Sequence, residues 1–333
     1  MARVFLAGDV GGTKTHLALY RPGDAARSPV VDRKLPSRDH ASLEALVREF
    51  LALSGGQPMR VVLGIAGPVV ANRAETTNLP WTVDGVALGR ALGGARVTLL
   101  NDLTATAWGL GVLAADELEV LQPGVPAPGN RGLIAAGTGL GEALLIPRGE
   151  GWTPAPSEGG HADFGPRDPL EDELCVWLRA RYGHVSWERV LSGPGLADLY
   201  RFLSETGRGE EPAAFARAFA TAADPAAEVA EGAISGACAR ARLALERFAS
   251  IYGAEAGNVA LKFLAVAGVF VGGGIAPRIL PFLRDAHFRD AFRAKGRLSP
   301  LLDRIPVSVI LDDRAALWGA AVVALATPQT ARA

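Results

Sequence analysis

Two polar stretches in this chain hold residue types from which chemistry could be built. In LLNDLTATAWG, residues 99–109, Asn101 and Asp102 stand where the apolar strand Val97–Leu100 meets a Thr/Ala-rich helical stretch. A carboxylate there has two readings, a helix N-cap or a base aimed into a cleft. In SEGGHADFGP, 157–166, Glu158 and His161 lie three apart across Gly159-Gly160, flanked by Pro154, Pro156 and Pro166. A carboxylate and an imidazole on so rigid a loop suit one small polar ligand. A zinc site is poorly served, since no cysteine is near and no second histidine sits at ligand spacing. A solvent-facing or structural histidine is the plainer alternative. Glu188, in SWERVLSGPG, precedes a Gly/Pro-rich turn and by itself reads as a surface glutamate.

Three glycine turns accompany these residues. GDVGGTKT, 8–15, nearly spells a phosphate loop, but Thr13 replaces a required glycine and a strand-like stretch, His16–Tyr20, follows where that motif needs a helix. A glycine hairpin fits better: Gly11 and Gly12 let backbone approach phosphate oxygens, and Thr13 and Lys14 offer a hydroxyl and a cation. Asp9 suits Mg²⁺ held through water, an ion that favours carboxylates together with substrate phosphates. An ordinary hairpin turn remains the plain reading of this segment. The second turn, GTGLG (Gly137, Thr138, Gly139, Leu140, Gly141), fails as a dinucleotide fingerprint because Glu142 takes the sixth position and strand follows. Paired with the first turn, it could grip one triphosphate. Gly272, Gly273 and Gly274 form a third site, either a platform for a flat base or a strand-to-helix turn.

The elements that must position these groups alternate along the N-terminal half. Strand-like Val4–Ala7, His16–Tyr20, Arg60–Ile65 and Val97–Leu100 surround a helical stretch, Ser42–Leu53, that opens on a serine cap. Such alternation predicts an α/β layered domain. VFLAGDVGGTKTHLALY (4–20) and GLIAAGTGLGEALLI (132–146) share one plan of strand, glycine turn and strand, roughly 130 residues apart, the scale of a duplicated lobe rather than a solenoid repeat. Two such lobes would place a ligand between them. Residues 122–131, QPGVPAPGNR, read as a surface connection. After residue 168 the pattern is mainly helical, with 226–252 as one long Ala-rich run. Val307–Leu311 reads as a strand, and Asp312–Asp313 as the start of a final helix.

Bulk properties narrow the function. The 333 residues suffice for about two lobes. With 34 basic and 35 acidic residues, only four of them lysines, the chain has no dense basic track, so nucleic acid and anionic membranes are poor partners. Two cysteines, Cys175 and Cys238, make no disulfide framework and point to a reducing cytoplasm. Asp9 interrupts the first apolar run too early for a signal peptide. The uncharged stretch Phe263 to Pro277 falls short of the ~20 residues a membrane span needs.

Taken in order, GDVGGTKTHLAL, IAGPV, TTNLPW, LLNDLTATAWG, AAGTGLGEALL, SEGGHADFGP, ERVLSGPGL and GVFVGGGIAPR resemble the bacterial ATP-dependent glucokinase family. The resemblance covers nearly the whole chain and implies the two-lobed, actin-like (ribonuclease H-like) α/β fold with a cleft between lobes. It implies one lobe from 1–108 with 303–333 and another from 109–302. It implies an ATP- and Mg²⁺-dependent kinase that converts glucose to glucose 6-phosphate, in the cytoplasm, as a homodimer. Asn101 and Asp102 match the sugar-binding Asn and the catalytic Asp, and Glu158, His161 and Glu188 match further sugar ligands. GDVGGTKT and GTGLG match the phosphate loops, with Gly272–Gly274 beside the adenosine. Lys14 and Glu142 depart from the pattern of some relatives. A non-catalytic sugar sensor, a hexose kinase of broad specificity and an actin-like ATPase are the alternatives.

Overall fold

A computed structural model describes residues 3–76 and 79–326. Thr77 and Asn78 of the TTNLPW stretch lie outside the described residues. The chain divides into two compact units: Met1–Ala115 with Arg148–Ala155 and Asp312–Ala333, and Asp116–Pro147 with Pro156–Leu311.

The first unit starts with β1 (Arg3–Val10), β2 (Lys14–Tyr20), β3 (Val31–Pro36) and β4 (Gln57–Ile65). A small sheet of β5 (Val69–Val70), β6 (Arg73–Glu75) and β7 (Thr82–Asp84) follows, then β8 (Arg96–Asn101). The main sheet runs β3-β2-β1-β4-β8, with β1 antiparallel to β2 and parallel to β4, and β4 parallel to β8. Side chains alternate between its faces with the strand period of two. Leu6, Leu17, Leu19, Val61 and Leu63 join a core with Leu46 and Phe50 of helix Leu43–Ser54. Their neighbours Ala7, Ala18, Tyr20 and Val62 join a second core with Leu317 and Trp318 of helix Ala315–Leu325. Ser42 caps the first of these helices, accepting from Ala45 N–H.

The six-stranded sheet repeats the plan. Its strands are β9 (Leu118–Gln122), β10 (Arg131–Ala136), β11 (Leu140–Arg148), β12 (Gly151–Ser157), β13 (Val269–Gly272) and β14 (Val307–Ile310), ordered β12-β11-β10-β13-β14-β9. β10 is antiparallel to β11 and parallel to β13, which is parallel to β14. The first five positions thus reproduce the order and sense of β3-β2-β1-β4-β8, and β9 is added antiparallel to β14. The repeat seen in the two glycine hairpins is a repeat of sheet topology.

Two expectations need correction. The Ala-rich run 226–252 is two helices, Pro225–Ile234 and Ala239–Phe263, because Gly236 turns left-handed at φ +73° and ends the first. Gln122 is not on a surface connection. It is buried at 2% exposure, and its amide donates to Leu302 O and Ile305 O, both at 2.7 Å. Among the described residues no helix is long and apolar enough to cross a membrane.

Candidate active site

In the first unit, β8 ends at Asn101 and helix Asp102–Gly109 begins at once. The N-cap is Asn101, not Asp102: Asn101 Oδ1 accepts from Leu103 N–H at 3.0 Å and Thr104 N–H at 3.3 Å, and its Nδ2 donates to Gly67 O at 3.0 Å. Asp102, at the first helical position, accepts from the adjacent Leu103 N–H at 2.8 Å, with its own N–H and the Asn101 side chain also favouring the carboxylate. The capping demand of the helix is met by the neighbour, so this half-buried carboxylate is available for other work. Burial raises its pKa above the ordinary aspartate value, against the pull of Leu103 N–H and the Asn101 side chain. The helix itself is held without side-chain spacers. A methyl at Gly319 would overlap Ala105 O, one at Gly109 would overlap Ala315 O, and one at Gly64 would stand 2.9 Å from Ala105 Cβ. Backbone contact with β4 and helix Ala315–Leu325 therefore sets where Asp102 lies.

The first glycine turn, Gly11 to Lys14, joins β1 to β2. Its anchor is Ser37, fully buried, whose hydroxyl donates to Gly11 O at 2.7 Å and accepts from Thr15 Oγ1 at 2.9 Å, while its N–H bonds Thr13 O at 3.0 Å. Gly12, Thr13 and Lys14 are left toward solvent. Asp9 lies next to the last residue of β1. Burial, then the charges of Asp102 and Asp313, push its carboxyl up to about 7, while Lys34, which pairs Asp313 at 2.8 Å, pulls it down. Among the described residues no set of three or more His, Cys, Asp or Glu side chains could cage a metal alone. That donor chemistry fits Mg²⁺ held chiefly by phosphate oxygens and its own waters, with Asp9 as the protein carboxylate.

In the second unit the GTGLG turn, the polar loop and Glu188 come together. Glu188 lies in the one-turn helix Trp187–Val190 capped by Ser186. Its Oε2 accepts from Leu140 N–H at 3.0 Å, and a methyl at Gly139 would overlap the same oxygen. Gly139 is thus the seat of Glu188 as well as part of a turn. Glu188 Oε1 stands 3.9 Å from His161 Nδ1, and His161 Nε2 stands 3.9 Å from Glu158 Oε2. Both separations exceed a direct hydrogen bond, so these three polar ends stand close together without being bonded to one another. Glu158 and His161 are exposed, and Gly159–His161 forms a 3-10 turn. The triple glycine lies near this assembly: Gly273 has φ +82°, and a methyl on it would overlap Ala136 O at the end of β10. Gly137 O accepts from Gly193 N–H at 2.8 Å, tying the turn to the start of helix Gly193–Glu205.

Sequence reasoning passed over Ser37, Lys34 and Asp313 as parts of the site, and nothing local marks them. It read Asp312–Asp313 as a helix start. Asp312 does serve that helix, accepting from Arg314 N–H at 2.9 Å and Trp318 Nε1 at 2.8 Å, while Asp313 turns to Lys34. Glu142, which follows the second turn, is buried beneath Gly159.

A family model described as Glucokinase matches residues 6–327. The glucokinase of Synechocystis sp. is 40% identical over 345 residues, covering 96% of this chain and 97% of its own length. That of Chromohalobacter salexigens is 39% identical, covering 96% and 97%. Among solved structures, a glucokinase from an Antarctic psychrotroph superposes with a TM-score of 0.82 at 30% identity, covering 96% of this chain and 98% of that one. The glucokinase of Balamuthia mandrillaris in complex with glucose shares the fold, at a TM-score of 0.77 and 23% identity over 97% and 94% of the two chains.

Proposed function

The chain belongs to the glucokinase family, and on that premise we propose how its residues divide the work of the reaction. The fold is the actin-like, two-lobed α/β fold of that family. The enzyme is an ATP-dependent glucose kinase, a phosphotransferase with an alcohol acceptor. The acceptor is the 6-hydroxyl and the products are glucose 6-phosphate and ADP. Phosphoryl transfer relies on positioning and on neutralising charge over the phosphate oxygens. A base that takes the hydroxyl proton as the oxygen attacks adds about 10²–10⁴ in rate.

Asp102 is that base. The observation that carries this reading is the capping by Asn101, which satisfies the helix amides and leaves the neighbouring carboxylate free to accept a proton. Asn101 also holds sugar. Glu158, His161 and Glu188 take other hydroxyls, and a sugar lacking one leaves a polar group unpaired, which costs affinity. The turns of Gly11, Gly12, Thr13 and Lys14, and of Gly137, Thr138, Gly139 and Gly141, hold the phosphates, while Gly272, Gly273 and Gly274 receive the adenosine. Mg²⁺ supplies charge neutralisation on the phosphates, and Asp9 would hold it through water. We extend the proposal to a cytoplasmic homodimer whose partners are small molecules, not nucleic acid or membrane.

The test is ADP formation by purified protein with and without glucose, for the wild type and Asp102→Asn. Glucose-dependent ADP that Asp102→Asn abolishes supports the reading. Glucose-independent ADP makes the chain an ATPase, and glucose binding without turnover makes it a sensor.

A further inference from the structure

Beneath the loop that carries Glu158 and His161 lies a carboxyl that the reaction does not use. Glu142, on β11, is 1% exposed, and its Oε1 is buried without a hydrogen-bond partner. Facing it from helix Ala239–Phe263 is Glu255, fully buried, which accepts from Lys262 Nζ at 2.7 Å and from Asn258 Nδ2 at 2.6 Å. Lys295 is behind them and is engaged elsewhere, donating to Ala254 O at 2.8 Å and Asn258 Oδ1 at 2.6 Å. Two buried carboxyls therefore share one ion-paired ammonium, and the second carboxyl is stable in this setting only with a proton. Burial and the charge of Glu255 push Glu142 up to about 8, with Lys262 pulling the other way.

Above Glu142 is the backbone of the sugar loop. A methyl at Gly159 would overlap Glu142 Oε2, and one at Gly160 would overlap Leu140 O. Gly159 N–H donates to Ser157 Oγ at 2.9 Å, which closes the loop over the strand. Leu140 is also the residue whose N–H holds Glu188. The first residues of β11 are thus the floor on which all three polar side chains rest.

We propose that Glu142 is a positioning residue for sugar binding: as the neutral acid it packs under Gly159 and holds Glu158 and His161 in place, and as the carboxylate, repelled by Glu255, it releases them. This rests on the reading of Glu158 and His161 as sugar partners. Ionisation inside the pair pushes like charges apart, and the side of Glu142 that meets the backbone of Gly159 is the one that yields.

The test measures the KM for glucose and for ATP, with kcat, from pH 6.5 to 9.5 in the wild type, Glu142→Gln and His161→Ala. If only the neutral form holds the loop, the wild-type glucose KM rises above about pH 8 with a limiting slope of about tenfold per pH unit, while the ATP KM stays level. Glu142→Gln, which has the shape and no titration, keeps a near-normal glucose KM that stays flat with pH. A Glu142→Gln curve that follows the wild type overturns the proposal while leaving the sugar assignment intact, provided His161→Ala raises the glucose KM. A His161→Ala enzyme of unchanged glucose KM removes both. Amide exchange over 158–162 in the wild type, corrected for its intrinsic pH dependence, gives a second reading that needs no variant: faster exchange above pH 8 supports the mechanism, and constant protection overturns it.

Discussion

Asn101 and Asp102 are adjacent, and the structure assigns them opposite kinds of work, so substitutions at the two positions should fail in opposite ways. Asn101→Ala removes a cap that serves two amides, for which about 0.5–2 kcal/mol is typical. It also removes the bond to Gly67 O, worth about 1 kcal/mol. A loss of roughly 1–3 kcal/mol in unfolding free energy follows, since the two contributions overlap. Asp102→Asn removes no cap. Its folded pKa is raised above the unfolded value, so the carboxyl favours the fold when protonated, and that contribution is lost as pH rises through the folded pKa. At neutral pH the uncharged amide should leave stability equal or slightly higher, an advantage that vanishes below the ordinary aspartate value. Turnover should fall by about 10²–10⁴, or about 2.7–5.5 kcal/mol of barrier, with the glucose KM little changed. Urea unfolding at pH 7 and pH 4 beside steady-state kinetics reads both quantities. An Asp102→Asn protein destabilised as much as Asn101→Ala, with turnover reduced less than tenfold, would make Asp102 a structural residue and refute the reasoning.

Other substitutions follow from the same geometry. Gly139→Ala should displace Glu188 and raise the glucose KM at least as much as Glu188→Gln does; an unchanged KM would show that Gly139 is not its seat. His161→Ala and Glu158→Gln should raise the glucose KM sharply with little effect on the ATP KM, and equal shifts in both would contradict their assignment. Asp9→Asn should weaken ATP binding yet stabilise the nucleotide-free protein. The rise of Asp9 from 3.8 to about 7 is worth at most ~4 kcal/mol. The gain should develop between pH 4 and 7 and then level off, so unfolding curves that coincide for the two proteins across that range would speak against the carboxylate cluster.

What could be read from the sequence was local. A strand, a glycine turn and another strand announce themselves by apolar runs and loss of side chain, which is why both hairpins and their repetition were visible. The pair at 101 and 102 was visible too, but which of two adjacent residues caps a helix depends on backbone angles that no spacing reveals. Distant partners were hidden for a simpler reason. Lys34 and Asp313 are 279 positions apart, Leu140 and Glu188 are 48, and each pair meets only in the folded chain. The break at Gly236 was masked by the high helix propensity of the alanines around it. In the sequence Glu142 stands out as the residue that breaks a dinucleotide fingerprint after the second turn, whereas the alternation of β11 buries it against Glu255.

The central claim is that Asp102 takes the proton from the 6-hydroxyl of the sugar. A crystal structure of the enzyme with glucose and a non-hydrolysable ATP analogue measures it directly. The account predicts an Asp102 carboxylate oxygen about 2.6–3.2 Å from the sugar O6. An O6 held by Glu158 or Glu188 instead, with Asp102 beyond hydrogen-bond reach, would contradict it.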